Sequence, residues 1–203
     1  MSSDGLDQPS AQFLLRLKQR EEKAFNELVI AHEQKVYRLV WRMLANQQEA
    51  EDLTQEVFVQ VFKSIDTFRG DSKLSTWIYR IALNLTRNRT KYLSRRKQTS
   101  HSDIFADEGS LSHHDAQGIT IGETSRPDLV AMGNEAERIV HECLSILESE
   151  FREILVLRDV ECLSYEEVGA ITGLAAGTVK SRLHRARSLL KHEVELRLGG
   201  SIE

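Results

Sequence analysis

Apolar residues recur at three- and four-residue spacing from Ala11 to about Lys97, as in Leu53, Val57, Val61 and Ile65 or in Trp77, Ile81 and Leu85. That spacing places them on one side of an α-helix. The helical pattern breaks near Ala45 to Gln48 and again at Arg69-Gly70-Asp71-Ser72, where Gly permits a turn and Asp or Ser can cap the helix that follows. Between Gln98 and Asp128 the pattern is lost and Ser, His, Asp and Gly dominate. It resumes near Leu129 and runs to about Leu198. One helix passes through Ile139, Cys143 and Ile146, a second through Phe151, Ile154, Leu155 and Arg158, and a shorter pair covers Tyr165 to Ile171 and Thr178 to Leu190. No segment alternates with the period of a strand. The expected fold class is all-α: two small helical domains joined by a flexible acidic linker. The expected divisions are 1–10, a disordered tail; 11–97, an N-terminal helical domain; 98–128, the linker; and 129–198, a C-terminal helical domain.

Composition agrees with a helical globular protein. Of 203 residues 40% are apolar and 29% charged, with two Pro and eleven Gly, which excludes fibrous and wholly disordered classes. No apolar run approaches the roughly 18 residues of a membrane span, so no membrane contact of its own is expected. The start, MSSDGLDQPS, is acidic and polar, without the basic and apolar stretches of a secretory signal. The two cysteines, Cys143 and Cys162, are too few for a disulfide framework, and the expected compartment is a reducing cytoplasm. Both lie beside apolar neighbours and are read as small buried side chains. His141 and Cys143 lack further ligands at metal-site spacing, and His101, His113 and His114 are read as solvated linker residues. The expectation is of no metal and no cofactor.

The formal net charge of −4 argues at first against a nucleic-acid partner, but its distribution reverses that. From Ser72 to Ser102 there is no acid, while Lys73, Arg80, Arg87, Arg89, Lys91, Arg95, Arg96 and Lys97 fall there. A second acid-free stretch, Val168 to His192, holds Lys180, Arg182, Arg185, Arg187 and Lys191. Two basic segments in an otherwise acidic chain are the footprint of local phosphate contact.

The segment LSYEEVGAITGLAAGTVKSRLHRARSLL has the layout of a helix-turn-helix. Ser164 is the expected N-cap, with Glu166 and Glu167 in a first turn whose dipole favours negative charge. Gly173 supplies the turn, Val179 packs back on the first helix, and Gly169 is read as a close helix crossing. The second helix presents Lys180, Ser181, His184 and Arg185 near one face with Arg182 beside them, a set able to contact phosphates and base edges. In FRGDSKLSTWIYRIALN, aromatic and basic residues interleave, a composition suited to unpaired bases. Trp77, Ile81 and Leu85 are expected to form its buried stripe, with Thr76, Arg80, Asn84, Arg87 and Lys91 on a neighbouring polar face.

With DLTQEVFVQVF, FRGDSKLSTWIYRIALN and LSYEEV followed by GTVKSRLHRAR in this order, the chain resembles the extracytoplasmic-function class of bacterial sigma factors. The resemblance covers nearly everything except the N-terminal tail and the linker. It implies that Asp52, Gln55 and Glu56 dock on the β′ clamp helices of core RNA polymerase. It implies that Phe68, Arg69, Lys73, Arg80 and Asn84 read and open the minus-ten element of promoter DNA. It implies that Lys180, Ser181, Arg182, His184 and Arg185 read the minus-thirty-five element, and that an anti-sigma factor is a further partner. Gly169 stands where the family usually has Ala. A stand-alone helix-turn-helix regulator is the alternative, but it leaves the first two motifs without a purpose. An enzyme is not expected, since no nucleophile, base and orienting group come together and no phosphate-binding Gly loop is present. A helical adaptor would leave the basic faces as mere solvated surface.

Overall fold

The computed structural model describes residues 9–103 and 138–199, with side chains for 9–96 and 138–199. Most of the expected tail and linker, including His113 and His114, lies outside them. Helix α1 spans Ala11–Lys18 and opens on Ser10, whose side chain accepts from the Phe13 N–H. Helix α2, Glu22–Leu44, ends on Ala45 in the left-handed region at φ 52°, and Asn46 caps α3, Gln47–Ser64, by accepting from the Glu49 N–H. This is the break expected at 45–48. A 3₁₀ turn, Ile65–Thr67, leads through Gly70 at φ 83° into α4, Leu74–Asp103. The helix continues through Asp103, past the boundary expected at residue 97, because nothing between Gln98 and Asp103 is a Gly or Pro that would stop it.

In the second half, residues 138–146 form α5, and α6, Ser149–Leu155, continues as a π-helical turn over Val156–Val160. Helix α7, Tyr165–Thr172, and α8, Ala176–Leu198, complete the chain. All described elements are helical, and the all-α class stands. Within the first half α3 and α4 pack on α2; within the second α6 and α8 face each other, and α7 also lies against α4.

The buried side of α4 is one position away from the stripe expected. Leu74, Ile78, Ala82 and Leu83 are fully buried, whereas Trp77, Ile81 and Leu85 are half-buried at the margin. Two apolar rows run along this helix, and the more aliphatic one faces the bundle of α2 and α3. Cys143 is buried as expected, but Cys162 is exposed. It sits at φ 54° in the connection between the π turn and α7, where the backbone reverses and carries the thiol outward. His141 stacks on Trp41 with ring centroids 3.9 Å apart, and Arg197 Nη1 donates to Cys143 Sγ at 2.8 Å. No group of three or more ligating side chains suited to a metal occurs among the described residues, and no described helix is long and apolar enough to cross a membrane.

The turn of the helix-turn-helix is built from two glycines with different duties. Gly173 closes α7 at φ 79° and donates to the Gly169 carbonyl, a conformation costing an L-residue about 1–2 kcal/mol. At Gly169 a Cβ would lie 2.9 Å from the Leu174 carbonyl oxygen. The close approach therefore comes from the turn's own backbone rather than from a crossing helix. Gly177, inside α8, has open space around it. Gly173→Ala should accordingly lower stability by about 1–2 kcal/mol, and Gly177→Ala should raise it by about 0.4–1 kcal/mol. Thermal unfolding of the two variants should move in opposite directions; shifts of one sign would show that local backbone conformation does not govern this turn.

Candidate nucleic-acid interface

Helix α8 is held by its buried face. Val179, Leu183 and Ala186 are buried, which turns Lys180, Ser181, His184 and Arg185 to solvent along one side. Ser164 and Glu167 form a reciprocal capping box at the start of α7: the Ser164 side chain accepts from the Glu167 N–H at 3.2 Å, and Glu167 Oε2 accepts from the Ser164 N–H at 2.8 Å. The box fixes the chain's entry into α7, and Gly173 its exit toward α8. Burial alone would raise the Glu167 carboxyl, but the Ser164 N–H and the Lys73 ammonium more than offset it and hold it below the usual carboxylate value.

The basic side chains of α8 are oriented by contacts the sequence motif does not contain. Arg182 is half-buried and pairs with Glu150 at 3.0 Å. Arg185 lies 5.5 Å from the Phe151 ring centre and Lys180 5.6 Å from that of Tyr165, within cation–π range. Arg187 binds Asp159 through two hydrogen bonds, at 2.9 and 2.6 Å. Glu150, Phe151 and Asp159 thus steer the basic helix from α6 and its π turn. They lie far from α8 in sequence, so no local spacing announces them.

The loop before α4 is pinned from below. Phe68 is only 2% exposed, with its ring 5.4 Å from that of Trp77. In this arrangement its ring is an anchor for the loop and is not available for stacking on a base, which departs from the exposed role expected of it. Arg69 and Lys73 are exposed on the loop, and Arg80 and Asn84 on α4 one turn apart. Thr76 is buried rather than on the polar face. A cleft of about 620 Å³ separates the loop from α7, with Gly70, Asp71, Ser72 and Lys73 on one wall and Glu166 and Glu167 on the other.

On α3, Asp52, Gln55 and Glu56 are exposed. Glu56 accepts from Arg89 at 3.0 Å, and Arg89 also reaches Glu49 at 2.6 Å. Val59, half exposed, follows Asp52, Gln55 and Glu56 on the same side. The i, i+3 and i+4 spacing of these four residues would have marked it as part of that face.

The two halves meet through ionic and polar contacts. Arg87 forks onto Glu153 at 2.9 and 2.6 Å, Tyr79 Oη donates to Glu161 at 2.9 Å, and Lys73 Nζ lies 2.9 Å from Glu167. Arg152 donates to the Met43 carbonyl at 2.5 Å.

Residues 28–98 match the family described as Sigma-70 region 2, and residues 137–190 that described as Sigma-70, region 4. The ECF RNA polymerase sigma-E factor of Escherichia coli K12 is 35% identical over 180 residues, which is 89% of this chain and 91% of that protein. The RNA polymerase sigma-H factor of Pseudomonas aeruginosa is 32% identical over 179 residues, covering 88% and 90%. Among solved structures, the sigma factor RpoE of Bartonella quintana, in complex with the anti-sigma factor NepR, superposes with a TM-score of 0.65 at 26% identity, covering 85% of this chain and 98% of its own. A match to region 2 over the first half does not favour a stand-alone helix-turn-helix regulator. The chain belongs to the extracytoplasmic-function class of the sigma-70 family, non-enzymatic initiation factors that direct RNA polymerase to promoters.

Proposed function

We infer that the three exposed surfaces divide the work of initiation, with residues 11–97 docking polymerase and reading the minus-ten element and residues 129–198 reading the minus-thirty-five element. The observation that carries this reading is the exposure of Arg80 and Asn84 on consecutive turns of α4 while Leu74, Ile78 and Ala82 hold that helix in the core. An exposed Arg and Asn at i, i+4 spacing beside an acid-free loop offer a charge for phosphate and an amide for a base edge. Arg69 and Lys73 add positive charge on the loop. Phe68 keeps the loop's shape from beneath, so its truncation would cost packing, about 3–5 kcal/mol for a buried Phe, and would not isolate DNA contact.

For the upstream element, Lys180, Ser181, His184 and Arg185 form the reading face of α8, and Arg182 joins them when DNA displaces Glu150. Asp52, Gln55 and Glu56, with Val59 adding apolar area, form the face for the β′ clamp helices. The Bartonella relative's complex with an anti-sigma factor supports the same class of partner here. Action on RNA polymerase gives the cytoplasm as the place of work.

Two experiments test the assignment. Arg80→Ala and Asn84→Ala should leave initial promoter capture by the holoenzyme largely intact and reduce strand opening, read as permanganate reactivity of thymines near the start site. Arg182→Ala and Arg185→Ala should each weaken use of the upstream element by about 1–3 kcal/mol if the contact is bidentate. Full opening in the first pair, or unchanged upstream footprints in the second, would remove those residues from the interface.

Asp52→Lys should reduce affinity for core polymerase without loss of helicity, since the residue is exposed and reversal of charge leaves the core of α3 untouched. Native circular dichroism with undiminished core affinity would exclude this face as the docking surface.

A further inference from the structure

The contact between the two halves falls on the helix assigned above to the minus-ten element. Three carboxylates of the second half, Glu153 on α6, Glu161 after the π turn and Glu167 on α7, meet Arg87, Tyr79 and Lys73. Those three residues are spread over roughly 20 Å of α4 and its leading loop. Arg42 on α2 also approaches Glu161, at 4.0 Å. The pairs are sheltered: Glu153 is 5% and Tyr79 4% exposed, so their attraction is screened less by salt than a surface pair's. Glu153 also raises the Arg87 guanidinium above its already high value through their hydrogen bonds, so the pair remains ionised at any working pH.

The same positions matter for DNA. Lys73 belongs to the loop assigned to the minus-ten element, and Arg87 continues the polar side of α4 one turn beyond Asn84. A phosphate approaching Lys73 must displace Glu167, and one approaching Arg87 must displace Glu153. Arg80 and Asn84 stay exposed, but the second half stands along their helix.

We propose that Glu153, Glu161 and Glu167 form an intramolecular latch, in which carboxylates of the second half hold the sites on α4 and its loop that promoter phosphates take in the initiating complex. The occupant of the basic side of α4 in the free chain is the chain's own second half. Polymerase opens the latch by binding the two halves apart, and the cost of opening is subtracted from DNA affinity until polymerase supplies it. The latch rests on the assignment of α4 and its loop to the minus-ten element, which the permanganate assay of Arg80→Ala and Asn84→Ala reads separately.

The test uses the full chain carrying Glu153→Gln, Glu161→Gln and Glu167→Gln together. Glutamine keeps the size and hydrogen-bonding reach of glutamate and serves equally in a capping box, so α7 stays capped while the charges are removed. A control carries Glu22→Gln, Glu33→Gln and Glu193→Gln, the same change in net charge outside the contact. Small-angle scattering reports the separation of the halves, and anisotropy of a labelled 20-nucleotide single-stranded DNA of mixed sequence reports access to α4. The latch variant should be more expanded than the parent and should bind the oligonucleotide on the order of tenfold more tightly, as when a competent state held near one part in ten is released. The control should show neither change. Unchanged scattering in the latch variant would overturn the proposal, whatever the affinity. Expansion without a gain in affinity, or an equal gain in the control, would overturn it as well.

Discussion

Arg152 is a cation taken out of water and held by carbonyl oxygens: that of Met43 at the last turn of α2, and those of Ser145 and Leu147 where α5 ends. Burial pushes its guanidinium down from the usual value, yet arginine starts so high that it stays charged. Terminal helix carbonyls have no partner in their own helix, and two helix ends from different halves of the chain are satisfied here by one planar group. The next residue, Glu153, reaches the other way, to Arg87 on α4. Removing one member of a buried pair leaves a stranded charge, at a cost of about 3–5 kcal/mol. The position of the second half on the first follows from these two neighbours on α6, and the relation of the DNA-reading surfaces to each other follows from that position.

Much of this architecture is legible in the sequence because its causes are local. The breaks at Ala45 and Gly70 are positions where the backbone takes positive φ, and the Ser164 and Glu167 spacing writes a capping box directly into the chain. What escaped local reading is tertiary. The buried row of α4 is Leu74, Ile78 and Ala82 rather than Trp77, Ile81 and Leu85, because both rows are apolar and only the partners α2 and α3 decide between them. Phe68 looked like an exposed ring in a polar loop but is buried against Trp77. Cys162 looked like a core residue but is turned outward by a left-handed backbone. Gly169 was read correctly as a close approach, but the approaching group is the Leu174 carbonyl.

The candidate site divides in the same way. Exposure of Arg80, Asn84, Lys180, Ser181, His184 and Arg185 follows from helical period once the buried face is known. The partners that steer these side chains, such as Glu150 for Arg182 and Asp159 for Arg187, come from another helix. Pairing across that distance in the chain depends on which helices become neighbours, and single-sequence spacing carries no record of it.

The charge pattern explains why such a chain should work through polymerase. A net charge of −4 opposes approach to DNA at long range, while two small basic surfaces each lose affinity as salt rises. Once polymerase fixes both halves at promoter spacing, the second contact becomes effectively intramolecular. The most direct measurement is a gel shift of promoter DNA near physiological salt with the free protein, with core polymerase, and with both together. The account predicts weak, unselective binding by either alone and tight, sequence-selective binding by the combination. Tight and selective binding of duplex promoter DNA by the free protein would contradict it.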